Sequence, residues 1–184
     1  MNIAFRNVIT VSQYLAWAAT KSARKRTELI NGQIVDMAPE RIGHIELKFA
    51  ATSVLKSAIA LAGLHCHALA DGATIQIDEH TAYEPDALVY CGEKLSGEAM
   101  IVPNPIIILE VLSPTTAHMD TSAKLIGYFK LPSVRHYLIV DPDARTVTHH
   151  ARGVDGVMSA RTASDGTLRL DPPGIEFSVA NLFA

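Results

Sequence analysis

The chain has 184 residues, 48% of them hydrophobic and only 19% charged, with a formal net charge of −3. That length fits one domain, 1–184, with residues 1–10 as an N-terminal extension, and it suffices to bury a substantial core. The balance argues against a broadly basic nucleic-acid binder, leaving room only for a locally basic groove on an acidic body.

Sparse charge also implies that some apolar surface is covered by a partner subunit, so a homodimer is expected. Cys66 and Cys91 have neither paired spacing nor a metal-ligand pattern, which favours a reduced, cytoplasmic setting. The start, MNIAFRNVITVSQYLAW, lacks the charged opening and unbroken apolar run of a signal peptide. The most apolar segment, PIIILEVL, is too short to span a bilayer, so no membrane partner is expected.

In chain order, VSQYLAWAAT reads as a short helix with Tyr14 and Trp17 as core residues. RTELINGQIVDM is a hairpin around Asn31-Gly32, the strongest short turn signal in the chain. An Ala-rich helix follows from about His44 to Leu61, with Ile45, Phe49, Leu55 and Ile59 among its apolar positions and Gly63 as its stop. LHCHALA, ATIQID and YEPDALVY read as strands, and PIIILEVL as a strand buried on both faces. SPTT is loop, and AHMDTSAKLIGYFKLP is a helix closed by Pro132. RHYLIVD and ARTVTHHA are two further strands turned by Asp141-Pro142-Asp143, and short strands lead to the apolar ending NLFA. The order predicts an α/β fold, a mixed β-sheet flanked by helices.

Glu110 ends the apolar run Ile106–Leu109, where an ionised carboxylate is costly unless paired, protonated or metal-bound. A salt bridge to an arginine is the structural alternative. Asp86 follows Pro85 in YEPDALVY, and proline places it at a strand start, an edge or a bulge; alone it reads as a turn residue. Together the two acids make a seat for Mg²⁺ or Mn²⁺, hard ions that take oxygen ligands, with the Val111 carbonyl as a further oxygen. Such an ion activates water and neutralises charge on a phosphate. Lys124, on the next helix, is a candidate cation, against the alternative of an Asp120–Lys124 surface pair. His65 and His67 share a strand face and could meet zinc, but further ligands are missing; His149 and His150 point to opposite faces.

The blocks TELINGQIVDM, GHIELKFAATSVL, EPDALV, PIIILEVLSPTT and DTSAKLIGYFKLPSVRHYLIVDPDARTV, in this order, resemble the Uma-type family of restriction endonucleases. The similarity runs from about Val11 to the end. The resemblance implies a restriction-endonuclease-like fold of the PD-(D/E)XK nuclease superfamily and an Mg²⁺-dependent endonuclease acting on DNA. By position it assigns Asp86 and Glu110 to the metal, and Lys124 as the lysine that stands at Leu112 in the superfamily pattern. A long flexible stem permits that migration, since only the ammonium position matters. His44 matches a recurrent histidine that could touch metal, water or phosphate, against the alternative of a surface histidine at a helix start, and Glu28 matches the hairpin glutamate. Where the family reads Glu-Tyr-Trp, this chain has Arg135-His136-Tyr137, which removes an acid and leaves three readings open: a change in metal affinity, in substrate choice, or in a surface contact only. The rival reading is a nuclease-like scaffold that binds nucleic acid or a protein without cutting, favoured by the acidic balance and by no basic stretch standing out.

Overall fold

The structure is a computed structural model and describes residues 8–20, 26–113 and 120–184. Helix α1 (Val11–Ala19) precedes the hairpin β1 (Thr27–Ile30) and β2 (Gln33–Asp36), and helix α2 (Ile42–Leu61) follows. Strands β3 (Cys66–Ala70), β4 (Ile75–Asp78), β5 (Thr81–Tyr83), β6 (Ala87–Cys91) and β7 (Pro105–Val111) lead to helix α3 (Asp120–Lys130). The chain ends in β8 (His136–Asp141), β9 (Thr146–Arg152), β10 (Met158–Ala163), β11 (Thr167–Leu170), β12 (Ile175–Ser178) and a 3-10 turn over Val179–Phe183. Residues 117–119 of the helix predicted before Pro132 lie outside the described residues, as do residues 1–7 of the expected extension. Among the described residues no helix is long and apolar enough to cross a membrane.

The central sheet has six strands in the order β10-β9-β8-β7-β6-β3. Its β7 and β8 run parallel, joined through α3, while the other pairs are antiparallel. A parallel pair requires such a crossover, and this one sets α3 beside the exit of β7. Successive β7 side chains serve opposite layers. Ile107, Leu109 and Val111 face α2 and the C-terminal strands, whereas Ile108 packs with Tyr128 of α3. Ile107, Ile108 and Leu109 are fully buried, each contributing about 1.5–3 kcal/mol. A second sheet, β2-β1-β5-β4, carries α1 on Leu29 and Ala82. Asn31 and Gly32 both take positive φ in the β1–β2 turn, and a Cβ on Gly32 would lie 2.2 Å from Val8.

Several expectations need correction. YEPDALVY is not one strand: it breaks at Glu84–Asp86, so that β5 and β6 join different sheets. Pro85 lacks a ladder donor, and the Glu84 N–H turns to the Glu28 carboxylate at 3.0 Å. In α2, Leu55 and Ile59 are core, but Ile45 and Phe49 are 51% and 74% exposed. The helix instead approaches the sheet through the smaller residues Ala51 and Ala58, together with Leu47.

Cys66 and Cys91, expected to be unpaired, form a disulfide. They stand opposite each other in the β3–β6 register, a pairing invisible until the strands align. This also removes Cys66 from any zinc site with His65 and His67. Reduction is expected to lower stability by about 3.5 kcal/mol, the loop-closure value for a sequence separation of 25. Urea unfolding with and without dithiothreitol measures it, and coincident curves would refute a stabilising bridge.

Candidate metal and catalytic centre

Where β6 and β7 meet, the sheet brings two carboxylates to one end. Asp86 immediately precedes β6, whose Ala87 pairs with Leu109, and its Oδ2 accepts the Val111 N–H at 2.8 Å. That bond fixes Asp86 against the residue that follows Glu110. Asp86 is only 4% exposed, so it is no ordinary turn residue. Burial works to raise its carboxyl, but His44, the Val111 amide and Lys48 outweigh it and hold the group below its ordinary range.

Glu110 faces the α3 layer. Its Oε1 accepts from the Tyr128 hydroxyl at 2.7 Å and from Lys124 Nζ at 3.1 Å. No arginine salt bridge holds it among the described residues; the pairing cation is Lys124. Burial is the main cause that raises Glu110 to about 7, with Asp86 and Glu28 adding repulsion and Lys124 opposing them. Tyr128 is fully buried, and its phenol is pushed well above the ordinary value by burial and by the Glu110 carboxylate.

Lys124 is 7% exposed and bridges Glu110 to Glu28, whose Oε1 lies 3.0 Å from Nζ. Glu28, on β1, is therefore brought into the centre through the amine. The alternative Asp120–Lys124 pair concerns an Asp120 side chain outside the described residues. His44, in the first turn of α2, lies with Nε2 3.5 Å from Asp86 Oδ2, so it is a member of the centre rather than a surface histidine.

Sequence reasoning missed a second group here. Lys48, one turn beyond His44, is 4% exposed and contacts Glu40, Asp71 and Asp86. Arg26 joins it, 2.7 Å from Glu40, 2.8 Å from Asp71 and 3.5 Å from Glu84. The available signal was the spacing His44, Lys48, Thr52, which stacks three polar side chains on one helix face. A basic run was also overlooked: KSARKR at 21–26 carries four cations, of which only Arg26 is among the described residues.

The replaced Glu-Tyr-Trp block lies away from the acids. His136 pairs with Ile107 and Glu110 with Ile139, three positions further along β7, about 10 Å. Arg135 therefore does not replace an acid in the centre. His136 instead bonds His149 at 2.9 Å and the Pro172 carbonyl at 2.8 Å, tying the central sheet to the C-terminal segment. His149 and His150 do face opposite layers, His150 lying on the Tyr137 ring. Tyr137 alone approaches the centre, its ring 5.3 Å from that of Tyr128.

α3 is held at its far end by Arg152 of β9, whose Nη2 donates to the carbonyls of Phe129 and Leu131 while the guanidinium covers the Phe129 ring.

A family model described as "Putative restriction endonuclease", Uma2, matches residues 11–180. The chain belongs to the Uma2 family. Two proteins of Synechocystis are similar to this Uma2 chain. Uncharacterized protein sll1609 is 26% identical over 155 residues, covering 83% of this chain and 85% of its own. Uncharacterized protein slr1290 is 26% identical over 174 residues, covering 93% and 89%. In three dimensions the Uma2 chain is similar to a crystal structure from Anabaena variabilis titled "a putative nuclease belonging to DUF820". The TM-score is 0.73 at 18% identity, over 95% of this chain and 97% of that one. The mixed α/β sheet flanked by helices is thus the fold of this neighbour as well.

Proposed function

We propose that this Uma2 chain is a divalent-metal-dependent endonuclease that hydrolyses DNA phosphodiester bonds. The observation that carries the reading is the buried Lys124 ammonium on Glu110, at the strand end where Val111 binds Asp86. A structural salt bridge needs one acid and one cation. Here the amine meets two acids, Glu110 and Glu28, with Asp86 close enough to raise Glu110 further.

The donor set fits a hard divalent ion. Asp86 and Glu110 offer carboxylate oxygens, and the crowding that raises Glu110 is the kind a cation relieves. Asp86, Glu110 and the Val111 carbonyl would hold Mg²⁺ or Mn²⁺. Such an ion would activate water and neutralise charge on the scissile phosphate.

The remaining roles fall to the chain's own groups. Lys124 supplies a fixed positive charge beside Glu110, placed to stabilise charge on phosphate oxygens or to orient the attacking water. Glu28 holds that amine from the opposite side, and Tyr128 fixes the Glu110 carboxylate by donating to Oε1. His44, beside Asp86, is placed to hold water or phosphate.

The test is cleavage of plasmid and oligonucleotide DNA with Mg²⁺ or Mn²⁺, set beside Asp86→Ala. Activity in the parent and a loss of at least about 10²-fold in the variant are expected. Equal cutting by both would end the assignment. The net charge of −3 favours the rival reading, binding without cutting, and DNA binding with no cleavage under either ion would establish it.

A further inference from the structure

Beside the seat assigned to the divalent ion lies a second cluster suited to a cation. Single ligand atoms of Glu40, His44 and Asp86 all lie within 4.8 Å of one another, and Asp86 belongs to both groups. A cluster of acids alone points to nothing, but this one already contains a cation. Lys48 Nζ stands 2.6 Å from Glu40 and 3.5 Å from Asp86 Oδ1, and it also contacts Asp71. Its side chain is 5% exposed, so the ammonium is no solvated surface charge. An ammonium withdrawn from water so far must be matched by carboxylates around it. Three converge on this one.

We propose that the Lys48 ammonium is a built-in cation filling the second of two adjoining cation seats, so that the chain takes one divalent ion and admits another only when Lys48 is removed. The proposal deepens the reading above and rests on it for the first ion, at Asp86 and Glu110. A divalent ion entering the second seat would have to displace an amine already seated on two of its three ligands, Glu40 and Asp86. Arg26 adds a further positive charge on Glu40 and Asp71. Helix geometry makes the placement natural. His44 and Lys48 lie one turn apart on the face of α2 turned toward Asp86, so one helix supplies both a ligand and the cation that blocks it.

The experiment titrates Mn²⁺ into the full chain, stripped of metal beforehand, with free ion read by electron paramagnetic resonance. The parent is expected to take one ion per chain and Lys48→Met to take two, while Lys48→Arg keeps the parent value. The double variant Glu110→Ala/Lys48→Met should retain only the added ion. Two ions of similar affinity in the parent, or no gain in a folded Lys48→Met, would overturn the proposal. Circular dichroism reports folding. Should Lys48→Met fail to fold, Glu40→Gln decides: it leaves Lys48 on Asp71 and Asp86, so the one-ion count should persist, and a lost ion overturns the proposal. A parent that binds no ion defeats the nuclease reading instead. In that case the gain in Lys48→Met, present or absent, still decides the role of Lys48.

Discussion

Replacing Lys124 by alanine is expected to reduce DNA cleavage by about 10²–10³-fold and to cost about 3–5 kcal/mol of stability. Both effects have one origin. The ammonium lies 3.0 Å from Glu28 and 3.1 Å from Glu110, and all three side chains are nearly buried. Removing it leaves two carboxylates facing each other with little water to screen them. The same change takes away the positive charge placed for the phosphate. Lys124→Arg separates the contributions: it keeps the charge and should retain most of the stability, but its planar fork cannot occupy a point between two single oxygens. Urea unfolding and single-turnover cleavage are the measurements. A Lys124→Ala protein that unfolds with the parent and cuts at the parent rate would remove Lys124 from the centre.

The second large effect concerns pH, because two buried groups shift in opposite senses. Glu110 is raised from 4.5 to about 7, chiefly by burial. Between those values the folded chain holds a proton that the unfolded chain has released, so stability falls as pH rises across the window. His149 is lowered from 6.5 to about 4 by burial and then by His136, which is itself lowered. Between about 4 and 6.5 the unfolded chain carries the extra proton, and stability rises with pH. At about 1.4 kcal/mol per pKa unit, each group moves stability by about 3 kcal/mol.

In the parent the two slopes oppose each other where they overlap, and His136 and His150, both lowered by burial, add to the rising side. Relative to the parent, Glu110→Gln is therefore expected to show stability climbing more steeply from pH 4.5 to 6.5, and His149→Gln to show it climbing less steeply or declining over the same range. Metal-free protein unfolded in urea at stepped pH gives both curves. Parallel curves for the two variants would refute the opposition.

Most of this centre was written locally in the sequence. Asp86 and Glu110 each sit at the margin of an apolar strand, where an acid needs a reason, and Lys124 sits on the next helix. The structure adds that one amide, that of Val111, couples the two acids across β6 and β7. The Lys48 group was hidden for a physical reason. Leu47 and Phe49 flank Lys48, so an isolated lysine there reads as the solvated face of an amphipathic helix. In fact Phe49 is the solvated residue, at 74% exposed, and Lys48 the buried one. A partner distant in sequence decides this, since Asp71, just past β3, meets Lys48 only where β3 packs on α2. The disulfide was hidden by the same kind of dependence, because strand register places Cys66 opposite Cys91. For the Arg135-His136-Tyr137 block, proximity in sequence left open whether it touches the centre. A strand run of three residues suffices to carry His136 away from Glu110, while Tyr137 comes near it through the Tyr128 ring.

Arg152 grips the carbonyls of Phe129, in the last turn of α3, and of Leu131, just past it, so the half of that helix after Lys124 is tied at two points. One tie is the amine of Lys124 among its acids, near the middle of the helix; the other is a guanidinium on β9, away from those acids in the sheet. A change on β9 can thereby alter how far the amine reaches without touching any acid. Tuning and construction are consequently inseparable along α3, and a screen confined to residues lining the acids would overlook a position that sets their geometry.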